Sequence, residues 1–132
     1  MTEIRREITL DQDAGDAWEL ISTAKGLERW LADEVEIEAV PGGALRTRTG
    51  ERDARTGTVE RIDAGRALSF VWRGAADEPT RVTLAISTSE AGTLLVLSET
   101  SLTGAMTASA TELRGLAWRL RLEVLAGCLV VA

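Results

Sequence analysis

A chain of 132 residues, 45% apolar and 27% charged, predicts one domain whose core needs no metal or disulfide staple, and excludes disorder. Its net charge of −6 argues against a nucleic-acid binder held by phosphate contacts. With no His, no Tyr and Cys128 as the only cysteine, His-dependent triads, the usual zinc ligands and an internal disulfide are all removed.

The first twenty residues, MTEIRREITLDQDAGDAWEL, lack the apolar run of a signal peptide, and no stretch approaches the roughly eighteen apolar residues of a membrane span. A cytoplasmic location is therefore expected. EIRREITL places Ile4, Ile8 and Leu10 among polar residues and reads as a strand over 3–10. Asp13 or Asp11 then offers an N-cap for a helix carrying Ala17, Trp18, Leu20 and Ile21, and Thr23 caps a second short helix, AKGLERWL.

DEVEIEAV and ALRTRT alternate on either side of Pro41-Gly42-Gly43 and predict a hairpin. Pairing Val40 with Ala44 sets Glu38 opposite Arg46 and Glu36 opposite Arg48 on the wet face. It also puts Ala39 beside Leu45 and Ile37 beside Thr47 on the buried face. GERDAR reads as a loop, GTVERI as a strand, ALSFVWR as a strand with Leu68, Phe70 and Trp72 on one face. RVTLAIS follows, with Val82, Leu84 and Ile86 facing together, and then TLLVLSETSL. These are six strands after the helix pair, joined by turns short enough for antiparallel neighbours.

From about Thr107 to Leu129 the period changes. Leu113, Leu116, Leu120 and Val124 recur at helical spacing, as do Trp118, Leu122, Leu125 and Leu129, predicting a long helix with a broad apolar face on the sheet. Cys128 reads as a small buried hydrophobe in its last turn. Val130 and Val131 either close one end of the core or form a self-association patch. The chain is read as α+β.

This order of elements resembles the helix-grip plan of the START-like (SRPBCC) superfamily of polyketide cyclases, dehydrases and lipid-transport proteins. The resemblance covers the whole chain, 1–132. Within it, Ala14 to Trp18, Trp30, VEIEAVPGGALR, GTVERIDAGRALSFVWR, AGTLLVLSETSL and AWRLRLEVL are similar to the branch named after the activator of the heat-shock protein 90 ATPase. The resemblance implies a curved antiparallel sheet (β-α-α-β6-α) wrapped around a long C-terminal helix, with a cavity for an apolar small molecule between them. Its lining would come from the inward set: Trp30, Ile37, Leu45, Thr47, Phe70, Trp72, Leu84 and Leu120.

Glu99 joins that set if the alternation through Leu95 and Leu97 continues. An inward carboxyl in an apolar cavity would have a raised pKa and could act as a general acid or base; otherwise the strand has already left the core and Glu99 is wet. Thr47 and Thr49 either bind a ligand or sit at the open end of the sheet, and Arg61 either faces inward or lies on a bulge. Arg46, Arg48, Arg52 and Arg55, opposite Glu34, Glu36 and Glu38, read as a neutralised solvent face.

Three functions follow. The first is a non-catalytic binder of a lipid, polyketide or similar apolar metabolite, with no cofactor or metal and as monomer or homodimer. The second is a cyclase or aromatase of polyketide metabolism, and the third a stimulator of a heat-shock ATPase.

Overall fold

Alternation of buried and wet residues along the strands decides where the core sits. The computed structural model describes residues 3–51, 53–74, 78–90, 92–102 and 108–130, and within the last segment the side chains of 112–125. Arg52, Val131 and the side chains of Cys128, Leu129 and Val130 lie outside the described residues.

The elements run β1 (Glu3–Leu10), α1 (Ala14–Ser22), α2 (Ala24–Glu28), β2 (Glu34–Ile37), β3 (Ala44–Thr49), β4 (Asp53–Asp63), β5 (Ala67–Gly74), β6 (Thr80–Ser89), β7 (Gly92–Ser101) and α3 (Ala108–Val130). The strands form one seven-stranded sheet in the order β1-β7-β6-β5-β4-β3-β2. All neighbouring strands run antiparallel. The α+β class and the element order are those expected.

The helix pair starts where capping chemistry permits. Asp13 accepts from the Asp16 N–H at 2.9 Å, and Thr23 accepts from the Gly26 N–H at 3.0 Å, each satisfying a first-turn donor. Trp30 donates its indole N–H to the Leu20 carbonyl at 2.8 Å, pinning the chain after α2 to α1.

The first hairpin is shifted by two residues from the expected register: Glu34 pairs with Arg48, Val35 with Thr47, Glu36 with Arg46 and Ile37 with Leu45. A two-residue slip keeps every side chain on its face, so the wet face still opposes unlike charges, with Arg48 and Glu34 2.8 Å apart. The cause is the connection. Gly42 has φ +84, a Cβ on Gly43 would lie 2.0 Å from the Glu38 carbonyl, and the Gly42 N–H donates to Val59 at 2.8 Å while Gly43 accepts from the Val59 N–H at 2.8 Å. The paired glycines let this longer connection fold down onto β4.

β4 also starts earlier than expected, at Asp53. Of the segment read as a loop, Asp53, Ala54 and Arg55 belong to β4, and Gly50 donates its N–H to Asp33 at 2.8 Å. A register shift between Val59 and Arg61 turns Arg61 outward, on a bulge.

The long helix presents one of its two apolar sets to the sheet. Trp118, Leu122 and Leu125 are buried, while Leu113, Leu116, Leu120 and Val124 are exposed. The expectation that Leu120 faces the core is thus corrected: it is 54% exposed. The bulkier ring on the Trp118 side and the bonds that Arg114 and Trp118 make to the buried Glu99 determine which set turns inward.

Candidate functional site

The register places five inward positions side by side across the sheet: Leu45 on β3, Gly57 on β4, Trp72 on β5, Thr80 on β6 and Ser101 on β7. In the adjacent row stand Val59, Phe70, Val82, Glu99 and Ile4. Gly57 is the bare position of the first row. A Cβ there would lie 2.0 Å from the Val71 carbonyl and 2.9 Å from the Trp72 Cα, so only glycine allows β4 to approach Trp72 this closely.

Glu99 is fully buried and is clamped. Its Oε2 accepts from Thr80 Oγ1 at 2.6 Å, Arg114 Nη1 at 3.1 Å and Trp72 Nε1 at 3.2 Å; its Oε1 accepts from Trp118 Nε1 at 3.0 Å. Thr80 and Trp72 reach it from the neighbouring row of the sheet, while Arg114 and Trp118 lie four residues apart on the inward face of α3. Sheet and helix are therefore joined through one carboxylate.

Burial is the strongest single influence on this carboxyl and pushes its pKa up. The hydrogen bonds from Thr80 and Trp118, the Arg114 charge and the Trp72 hydrogen bond outweigh it and hold the pKa below the ordinary carboxylate value. This corrects the expectation of a raised pKa, which treated the surroundings as apolar. A carboxylate with about four lone-pair sites, already meeting four donors, is an anchor for its neighbours more than a proton carrier.

Around the anchor, rings and cations stack in layers. Trp72 and Trp118 are stacked at 5.9 Å between centroids, and Phe70 meets Trp72 edge-on at 5.2 Å. The Arg55 guanidinium lies 4.8 Å from the Trp72 ring centroid and that of Arg121 lies 5.0 Å from Trp118, within cation–π range. Asp53 bonds Arg55 at 3.0 Å and approaches Arg121 at 3.9 Å. Burial and the neighbouring Arg55 charge lower the Arg121 pKa. Between β4 and α3 these groups border a cleft of about 320 Å³, walled by Asp53, Arg55, Glu99, Leu113, Arg114, Ala117, Trp118 and Arg121.

Of the residues picked out from sequence, Trp72, Phe70 and Glu99 are brought together here. Leu84 is fully buried in the next row of the same face, between Leu68 and Leu97, and Leu45 and Thr47 are the cross-strand partners of Gly57 and Arg55. Trp30 lies just after α2 and bonds back to α1, and Ile37 is half-buried beside Leu45 on an edge strand. Leu120 points to solvent and takes no part.

Sequence reasoning missed Arg55, Thr80, Arg114, Trp118 and Arg121 as site residues. The spacing Arg114, Trp118, Arg121 carries a signal, because i, i+4 and i+7 share one helix face. Arg55 was read as part of a solvent face, yet it lies two and four residues before Gly57 and Val59 on the inward side of β4.

A seven-stranded antiparallel sheet with a long C-terminal helix held over its inner face defines a START-like protein of the helix-grip class. The chain belongs to the family of Activator of Hsp90 ATPase homolog 1-like proteins, whose model matches residues 11–129. Among solved structures, DynU16 from the dynemicin biosynthetic locus is similar with a TM-score of 0.90 at 15% identity, over 98% of this chain and 47% of that one. The chain thus spans about half the length of DynU16. The Aha1 dimer from Colwellia psychrerythraea gives 0.85 at 16% identity, over 99% and 98% of the two chains. CalU16 from Micromonospora echinospora gives 0.76 at 22% identity, over 98% and 74%. At such identities the likeness speaks for the fold. No curated protein matches the chain.

Proposed function

We propose that this chain binds a small, largely apolar, ring-bearing metabolite in the cleft between β4 and α3, along the helix and without chemical turnover. The observation that carries the reading is the cleft itself: about 320 Å³, bordered by fixed charged groups and by Leu113 and Ala117 of α3. Small-molecule sites typically combine an apolar surface with a few fixed polar groups, and here Glu99 fixes the polar groups. In this reading Trp72, Phe70 and Leu84 are the rigid backing of the cleft, and Leu45 and Thr47 support its β4 side. The place of DynU16 in a dynemicin biosynthetic locus is in keeping with a metabolite as ligand. The four donors on Glu99 favour binding over the cyclase alternative, since a general acid needs a proton to give and a raised pKa to hold it.

Native mass spectrometry on protein purified from its own host tests the proposal. The expected spectrum shows a stoichiometric small-molecule adduct on the wild type, absent from Ala117→Phe, which fills the cleft from the helix side at unchanged melting temperature. An adduct retained in Ala117→Phe places the ligand elsewhere. A bare wild-type mass that stays bare after incubation with host extract overturns the binding reading.

A further inference from the structure

The walls of the cleft carry an electrostatic asymmetry that the binding reading does not use. Three guanidinium groups border it, Arg55 from β4 and Arg114 and Arg121 from α3, against the two carboxylates Asp53 and Glu99 among the described residues. Glu99 lies at the buried end, already holding four donors. Asp53 bonds Arg55 Nε at 3.0 Å but meets Arg121 only at 3.9 Å. Arg121, its guanidinium carbon 5.0 Å from the Trp118 ring centroid, stands beside the open volume with a loose ion pair as its described anionic contact. Burial and the like charges of Arg55 and Arg114 oppose its protonated state, while Asp53 and Glu99 support it. A negative group entering the cleft would relieve that crowding. A planar guanidinium is matched to a carboxylate by two parallel hydrogen bonds. The apolar side of the same cleft is supplied by Trp118, Leu113 and Ala117.

Resting on the binding reading above, we propose that the ligand class is an aromatic acid, with its carboxylate held by Arg121 and its ring against Leu113 and Ala117 of the helix. The specificity is then for a planar apolar body bearing one negative charge at its edge, and Arg121 is the residue that reads the charge.

Isothermal titration with 2-naphthoate and its neutral analogue 2-naphthalenemethanol tests this at low salt. The wild type is expected to bind the acid at least about tenfold more tightly, the size of effect of one charge-assisted hydrogen-bonded pair. Arg121→Gln should abolish that preference while leaving the neutral probe unchanged. Arg119→Gln, on the exposed face and paired loosely with Glu123 at 3.8 Å, should alter neither. Equal affinity of the wild type for the two probes overturns the aromatic-acid proposal and leaves ring binding standing. Equal weakening by Arg119→Gln and Arg121→Gln reduces the preference to general charge attraction and also overturns it. Binding of neither probe overturns both this proposal and the placement of the ligand in the cleft.

Discussion

The indoles of Trp72 and Trp118 stack at 5.9 Å with 23° between their planes, one ring from the sheet and one from the helix, and both turn their N–H groups onto the Glu99 carboxylate. Stacking aligns the two ring edges, and the shared acceptor fixes their angle. Aromatic pairs of this kind add about 0.5–1.5 kcal/mol beyond burial. The pair therefore holds α3 to the sheet at the point where the cleft opens.

Glu99→Gln is expected to destabilise the protein by about 3–5 kcal/mol, the range for removing one partner from a buried ion pair. The amide has one acceptor oxygen in place of two and brings an NH₂ donor toward groups that are themselves donors. Arg114, only 18% exposed, would lose the carboxylate it meets at 3.1 Å. Urea denaturation measures the difference; a loss below about 1 kcal/mol would show that the clamp contributes little.

Acid should unfold this protein through the same residue. A carboxyl held below its ordinary value in the folded state takes up its proton first in the unfolded chain, where it titrates near pH 4.3. The stability from Glu99 is thus complete above the ordinary carboxylate range and is lost as pH falls through the lowered folded value. Glu60, lowered by its hydrogen bond from Arg81, acts in the same direction, but it is exposed and its share is small. With no His in the chain, no side chain titrates ordinarily between about pH 5 and 8. Thermal melts should give a level melting temperature from about pH 6 to 7.5 and a decline below about pH 5, shallower in Glu99→Gln. A step between pH 6 and 7.5 would contradict this assignment.

The two faces of α3 should respond oppositely to substitution. Leu122→Ala removes a buried side chain and is expected to cost about 2–5 kcal/mol. Leu116→Gln and Leu120→Gln, on the exposed face, should each change stability by no more than about 0.5 kcal/mol. Denaturant midpoints of the three variants decide which face meets the sheet; a large loss in Leu120→Gln would reverse it.

The sequence showed the element order clearly because most segments bury one face only, so period and breakers are both visible. It also showed the inward faces of β5, β6 and β7, where Leu68, Phe70, Trp72, Val82, Leu84, Leu95 and Leu97 alternate with smaller or polar residues. The hairpin slipped by two because opposite charges line both candidate registers, and the contact of Gly42 and Gly43 with Val59 depends on a distant strand. The inward face of α3 was ambiguous because its two apolar sets are similar in size and spacing. What separates them is the pairing of Arg114 and Trp118 with Glu99, a partner 15 and 19 residues away in sequence. The environment of Glu99 was misjudged for the same reason. Alternation told which way the carboxyl points but not that four donors from three other elements wait for it.

The four-donor clamp also constrains how descendants of this chain can change. Exchanging Glu99 for an apolar residue leaves two indole N–H groups, a hydroxyl and a guanidinium buried around a missing acceptor. Exchanging a donor alone leaves the remaining three holding a carboxylate with less to offset its burial. Each single step descends in stability before a compensated, all-apolar arrangement is reached, so drift through this cluster is slow even where nothing selects for a ligand. Its members should be inherited or replaced as a block, and a lineage that retains Glu99 without Trp118 would have had to find a new donor on its last helix.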